Sequence, residues 1–253
     1  MDVKNKVAIV TGASSGVGAE AAVQLAGLGA RVLVNYAHSA SGAEQTVARI
    51  VAAGGEASSF QADVSDNEQC VALVAAAIER YGQLDILLNN AGTTTFVAHQ
   101  DLDGLTDAIW QQTLTTNLQG PFYMSRAALP EMIKQGGGEI VMTSSIAGLT
   151  THGSSIAYCA SKAALNSLTK TLAKTMGKHG VRVNAVCPGL IDGDWGRDGW
   201  GDNWDTAKDF TRAETPLGQV TNPADIAEGL LALITGNDLM TGQIITLDGG
   251  FTL

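Results

Sequence analysis

Six short runs of apolar, mostly β-branched residues recur along the chain: VAIV (7–10), RVLV (31–34), DILL (85–88), EIVM (139–142), RVNAV (182–186) and QIITL (243–247). They are apolar nearly throughout rather than alternating with polar residues, the pattern of parallel strands covered on both faces. Between them lie stretches such as AEAAVQLAGLG and SGAEQTVARIVAAGG, apolar at helical spacing and closed by glycine. Strand, helix and strand in repetition predict a doubly wound α/β domain of Rossmann type with a parallel sheet. No linker, low-complexity tract or tandem repeat divides the 253 residues, so 1–253 reads as a single domain. One segment breaks the rhythm. DGDWGRDGWGDNWD (192–205) is too rich in Gly, Asp and Trp for a core element and reads as a long loop, within an insertion spanning about 190–215.

The balance of 25 acidic against 15 basic residues, a net charge of −10, argues against nucleic acid or an anionic membrane as the main partner. Cys70, Cys159 and Cys187 are odd in number and far apart, which suggests a reduced, cytoplasmic chain without a disulfide framework. No apolar run approaches the roughly 18 residues of a membrane span. His99, His152 and His179 lack ligand spacing, and Arg197 stands where a calcium loop within the Asp-rich segment would need Gly. No metal is expected.

TGASSGVG (11–18) follows the first strand and precedes a helical pattern. Gly12, Gly16 and Gly18 would allow a tight turn and the approach of a pyrophosphate to a helix N-terminus. The spacing is G-x-x-x-G-x-G, and no Gly-Lys-Ser/Thr follows, which argues against a nucleotide-triphosphate loop. By itself the stretch favours a bound phosphate group, with a glycine turn that binds nothing as the alternative. Farther along, IAYCASKAAL (156–165) puts Tyr158 and Lys162 four residues apart, on one helix face. Such a pair on an ordinary surface helix would do little.

In combination these features resemble the short-chain dehydrogenase/reductase family, in particular its 3-oxoacyl-thioester reductase and sugar or alcohol dehydrogenase branch. TGASSGVG is similar to the family's cofactor turn, NNAG (89–92) to its sheet-stabilising motif and YCASK (158–162) to its Tyr-x-x-x-Lys. Ser145 precedes Tyr158 by 13 residues, the family spacing, and Asn117 in TTNLQG matches a fourth catalytic member. DV (63–64), PG (188–189) and TGQIITLDGG match as well, so the resemblance covers essentially the whole chain. It implies an NAD(P)(H)-dependent oxidoreductase interconverting a small-molecule ketone and secondary alcohol, working as a dimer or tetramer. It implies cofactor contacts at Gly12, Ser14, Ser15, Gly16, Val17, Gly18, Asp63, Val64, Asn90, Ala91, Gly92, Pro188, Gly189 and Ile191, with Tyr158 and Lys162 also touching the nicotinamide end. The alternative from another class is a cofactor-bound sensor or scaffold that keeps the fold without the chemistry.

Tyrosine holds its proton with a pKa of about 10, and bringing that near 7 takes about three units, roughly 4 kcal/mol. An ammonium about 5 Å away, at an effective dielectric near 20, supplies around 3 kcal/mol. Burial opposes ionisation, so Lys162 alone falls short and an oxidised nicotinamide nearby would have to supply the rest. Ser145 would hydrogen-bond the substrate carbonyl. The resemblance further implies that Lys162 holds the nicotinamide ribose and that Asn117 anchors a water feeding protons to it. Cys159 should point about 100° away from Tyr158 and reads as a small buried filler.

The second strand ends at Tyr36, where NAD-preferring relatives carry an Asp for the adenosine ribose. With no carboxylate there, and His38 and Ser39 following, NADP(H) is favoured and NAD(H) is the alternative. Ser15 replaces the basic residue that many NADP-binding relatives carry, and Ser39 could equally be a helix N-cap. After PG the family commonly has a cofactor-touching Thr, where this chain has Gly193, leaving Ile191 to reach the carboxamide through its backbone. Trp195, Trp200 and Trp204 would form an aromatic lid with an acidic rim of Asp194, Asp198, Asp202 and Asp205, or else pack on the body. Such a mouth suits a cationic or polyhydroxylated small molecule. The bare QGGGE (135–139) offers no arginine to an acyl-carrier partner.

Overall fold

The computed structural model describes all residues, Met1–Leu253. Seven strands form one parallel sheet: β1 (Val7–Val10), β2 (Arg31–Tyr36), β3 (Glu56–Gln61), β4 (Ile86–Asn89), β5 (Gly138–Thr143), β6 (Val181–Pro188) and β7 (Ile244–Leu247). Their spatial order is β3-β2-β1-β4-β5-β6-β7. The chain runs outward from β1 to β3, then crosses back to lay β4 on the other side of β1. That reversal leaves a crevice beyond the carboxyl ends of β1 and β4, where ligands bind in open α/β sheets.

Six strands fall where the apolar runs place them. β3 does not, because EASSFQ is polar: it is the sheet edge, pairs only with β2, and is only partly buried. An edge strand needs no apolar run, and polar residues there discourage pairing with other chains.

Helices cover both faces. They are α1 (Gly16–Gly27), α2 (Ala40–Ala52), α3 (Asn67–Tyr81), α4 (Asp107–Leu114), α5 (Gly120–Lys134), α6 (Ile156–Met176), α7 (Asp194–Trp200), α8 (Trp204–Glu214) and α9 (Pro223–Thr235). The pleat sorts β1 between two cores. Val7 and Ile9 join the cluster beneath α3, α5 and α6, whereas Ala8 and Val10 join the one beneath α1, α2 and α9. No helix is long and apolar enough to cross a membrane.

At the opposite end of the sheet from the crevice, Arg182 on β6 donates through Nε to Glu139 on β5 at 2.7 Å. Both side chains are buried, and Glu139 Oε2 has no partner. Burial raises the Glu139 carboxyl to about 7, more than Arg182 lowers it. A folded-state value above the unfolded one of 4.5 means the folded chain holds this proton more tightly. The stability it contributes is complete below the unfolded value and is lost as pH rises through about 7. Thermal unfolding followed from about pH 5 to 8 should therefore show a decline that Glu139→Gln flattens. An unchanged slope in the variant would contradict this account of the pair.

Candidate active site

The glycine turn uses its glycines differently. Gly12, at φ +61°, lies where a Cβ would sit 2.9 Å from Ala91 Cα. Gly16, at φ +54°, is a position that L side chains rarely adopt, and nothing lies within 4 Å of where a Cβ would stand. A Cβ on Gly18 would overlap the Gly12 carbonyl oxygen and come within 2.6 Å of Asn90 Nδ2. Gly18 is buried and does not line the crevice, so here it serves close packing. Ser15, the residue before α1, makes no side-chain cap and the first turn holds no acid. The N–H groups at this end are left for another acceptor, a fit for a pyrophosphate.

Two asparagines fix this turn. Asn90 donates through Nδ2 to the carbonyls of Thr11 (3.2 Å) and Gly12 (3.3 Å), while Asn90 and Ala91 N–H groups donate to Thr11 Oγ1. Asn35, fully enclosed in β2, accepts from Gly12 N–H at 3.2 Å and donates to the Ala62 carbonyl at 2.9 Å. It ties the glycine turn to the segment carrying Asp63 and Val64. The only sign of Asn35 in the sequence is a single amide inside the strand RVLVNY.

Tyr158 and Lys162 owe their position to Ser155, the N-cap of α6, whose Oγ accepts from Tyr158 N–H at 3.2 Å. Both side chains are buried, at 8% and 3% exposure. Lys162 Nζ donates to the Thr143 carbonyl at 2.8 Å and lies 5.5 Å from the Tyr158 ring centroid. Gly92 lies beside it, where a Cβ would stand 3.8 Å from Nζ, an ordinary contact distance. Ser145, past the end of β5, lies beside the phenol. Burial pushes Tyr158 well above the ordinary tyrosine value, and the hydrogen bond with Ser145 pulls back only part of the way. Burial also lowers Lys162, to about 8. For both groups desolvation is the largest influence, and it acts against the charged form.

Asn117 is buried in a turn of π-helix, Thr115–Gln119, joining α4 to α5. Its amide donates to the Thr93 carbonyl (2.8 Å) and Ser161 Oγ (3.2 Å), and its oxygen accepts from Thr93 N–H (2.8 Å). The side chain is fully engaged with protein and does not line the crevice. It braces the segment after NNAG beside Lys162.

One cleft of about 2040 Å³ connects these parts. It exceeds the roughly 300–1,000 Å³ of ordinary small-molecule pockets, which fits a dinucleotide with a substrate beside it. Gly12, Ser14, Ser15, Gly16, Val17, Asp63, Val64, Asn90, Ala91, Gly92, Ser145, Tyr158, Lys162, Pro188, Gly189 and Ile191 all line it. Ser39 does too, while also capping α2 by accepting from Gly42 N–H at 3.3 Å. Arg49, which belongs to no sequence motif, also lines the cleft and pairs with Glu20 at 2.8 Å.

Two expectations need correction. Cys159 is half-exposed rather than buried, its Sγ 4.0 Å from the Thr151 carbonyl and close against Gly153, because the chain it faces, Thr151–Gly153, is itself exposed. Burial raises all three thiols, which makes them poor nucleophiles. Residues 192–205 are not a loop: they form α7, a 3₁₀ turn (Gly201–Asn203) and the start of α8. Asp192 makes this possible by accepting from Arg197 on α7 and Lys208 on α8. Trp204 is buried under Gly196, while Trp195 and Trp200 remain at the cleft.

The model of the family described as short chain dehydrogenase matches residues 6–201. The chain belongs to the short-chain dehydrogenase/reductase family. It is 41% identical over 244 residues to a Streptomyces violaceoruber protein named as a granaticin polyketide synthase ketoacyl reductase, covering 96% of this chain and 95% of that one. It is 37% identical over 249 residues to an L-rhamnose 1-dehydrogenase (NAD(P)(+)) of Sphingomonas sp. strain SKA58, covering 98% and 96%. A solved 7α-hydroxysteroid dehydrogenase, complexed with NADH and 7-oxo glycochenodeoxycholic acid, superposes with a TM-score of 0.87 at 31% identity, covering 98% and 94%. As a short-chain dehydrogenase/reductase, the chain is an oxidoreductase of an NAD(P)-dependent family.

Asn35→Ala would leave the Gly12 N–H and Ala62 carbonyl without their partner. Each buried orphan costs about 1–3 kcal/mol, so denaturant unfolding should show a loss of that order or more. Stability unchanged from wild type would show that the turn does not depend on this amide.

Proposed function

We propose that the protein interconverts a small-molecule ketone and the corresponding secondary alcohol, with Tyr158 as the acid/base. The observation that carries this reading is the placement of Ser145, Tyr158 and Lys162 around one point of a cleft whose other end is the glycine turn. Gly12, Ser14, Ser15, Gly16 and Val17 would hold the pyrophosphate of a nicotinamide cofactor. Asp63 and Val64 would flank its adenine, and Asn90–Gly92 with Pro188–Ile191 its nicotinamide half. Such a cofactor supplies or takes up the hydride and, when oxidised, carries a positive ring.

In the reducing direction Ser145 donates a hydrogen bond to the substrate carbonyl and sets its angle. Tyr158 gives its phenolic proton to the carbonyl oxygen as the carbon gains hydride; in reverse it takes the hydroxyl proton. Lys162, with its pKa near 8, stabilises the phenolate and passes a proton on. Asn117 is read as positioning: its side chain holds Thr93, leaving the main chain to anchor any water. Tyr158→Phe should lower kcat by about 10³-fold or more, consistent with loss of general acid–base catalysis, while cofactor affinity by fluorescence titration stays within a few-fold. Retention of most of the turnover would refute the assignment.

NADP(H) is the favoured cofactor in this proposal. Tyr36 removes the carboxylate that would repel a 2′-phosphate, and His38, Ser39 and Arg49 line the cleft. Calorimetry should find NADPH bound about tenfold or more tightly than NADH, with Arg49→Ala narrowing the gap, as one lost charge-assisted contact would. Equal affinities would favour NAD(H). The family reading also extends to a homo-oligomer, dimer or tetramer. Exposed Val71 on α3 and Phe122 and Ile133 on the neighbouring α5 offer it an apolar surface.

A further inference from the structure

The segment 192–205 does more than border the cleft. Its root is fixed by Asp192, which accepts from Arg197 and Lys208 and whose N–H donates to the Thr221 carbonyl at 2.7 Å. Its far end crosses to the opposite wall. There the Phe96 ring occupies the space a side chain on Gly199 would need, so any Cβ at position 199 would overlap it. Trp200 meets the same ring edge-on, with centroids 6.1 Å apart. The wall that carries Phe96 is itself anchored, Val97 N–H donating to the Ser154 carbonyl at 2.9 Å. Between root and seat, Trp195 stands edge-on to Tyr158, with ring centroids also 6.1 Å apart. An aromatic face therefore stands beside the Tyr158 ring, whereas Asp194 and Asp198 are exposed at the mouth.

We propose that α7 is a cover seated by Phe96 in the Gly199 notch, and that Trp195 forms with Tyr158 a slot selecting an uncharged ketone with a flat apolar face. The inference rests on Tyr158 as the proton donor and goes beyond it by naming what the slot admits. Aromatic side chains accept flat partners edge-on or offset-stacked. The acidic mouth disfavours anionic substrates. An open polyhydroxylated ketone would satisfy the catalytic residues but leave the aromatic walls wet. Gly199 matters because a side chain there would displace the Phe96 ring from its seat.

The test compares 1-tetralone, a flat fused-ring ketone, with dihydroxyacetone, in wild type, Trp195→Ala, Gly199→Ala and Gly199→Ala/Phe96→Ala. Turnover is followed by reduced-cofactor consumption, ketone binding by quenching of tryptophan fluorescence and NADPH binding by its own fluorescence. Wild type should favour tetralone at least tenfold in kcat/KM. Trp195→Ala should raise the tetralone KM about tenfold and erase that preference, with kcat and NADPH affinity little changed. Gly199→Ala should lower kcat/KM for tetralone, and the added Phe96→Ala should restore much of it. A wild-type preference for dihydroxyacetone, or a preference that Trp195→Ala leaves intact, overturns the slot. So does a Gly199→Ala defect that Phe96→Ala does not relieve. Tetralone that binds and quenches wild type but is never reduced would preserve the slot and overturn the catalytic reading. Absence of both binding and turnover overturns the slot.

Discussion

Enclosure of a phenol and an ammonium together, in one dry corner of the cleft, governs the rest of this structure. Coulomb attraction across about 5 Å would favour the ionised phenol, but removing both groups from water costs more. The result is a Tyr158 that keeps its proton above the ordinary tyrosine range and a Lys162 brought down to about 8. Neither group is ready for chemistry through the other alone. Additional positive charge beside the phenol would tip the balance, and the same cleft reaches a glycine turn and an uncapped helix end suited to a dinucleotide. The fold makes that adjacency cheap: the strand order reverses at β1 and β4, and β4 and β5 deliver the segments that pack against Lys162.

The same logic accounts for three asparagine side chains around the site, two of them buried. Asn35, Asn90 and Asn117 each hold backbone from a different part of the chain, and each bridges a break that regular hydrogen bonding cannot close. Asn35 joins the glycine turn to the segment that carries Asp63 and Val64, Asn90 joins β1 to β4, and Asn117 joins the π-turn to the segment beside Lys162. The proton transfer proposed for this site calls for such a rigid frame, because small displacements are costly there.

The sheet was legible in the sequence wherever a strand is central, since burial on both faces demands continuous apolar residues. β3 escaped because an edge strand has no such demand. The glycine turn and the Tyr158–Lys162 spacing were equally legible as motifs. Their energetics were only half legible: a sequence gives the spacing between two charges but not the depth to which both are buried. Gly18 illustrates the same limit, for its need of close packing with Asn90 appears only once β4 is placed. The 192–205 segment was misread because Gly, Asp and Trp are poor helix formers and nothing local announces α7. Its order comes from tertiary contacts: Asp192 with two cations, Trp204 beneath Gly196, and Phe96 against Gly199.

The central claim is that burial keeps Tyr158 protonated until further positive charge arrives. It is tested most directly by ultraviolet difference titration of tyrosinate, wild type minus Tyr158→Phe, without and with oxidised cofactor. The account predicts no Tyr158 ionisation below about pH 10 in the protein alone and a downward shift of about two units or more once the cofactor is bound. A phenol that ionises near neutrality without cofactor, or whose titration the cofactor does not move, would contradict it.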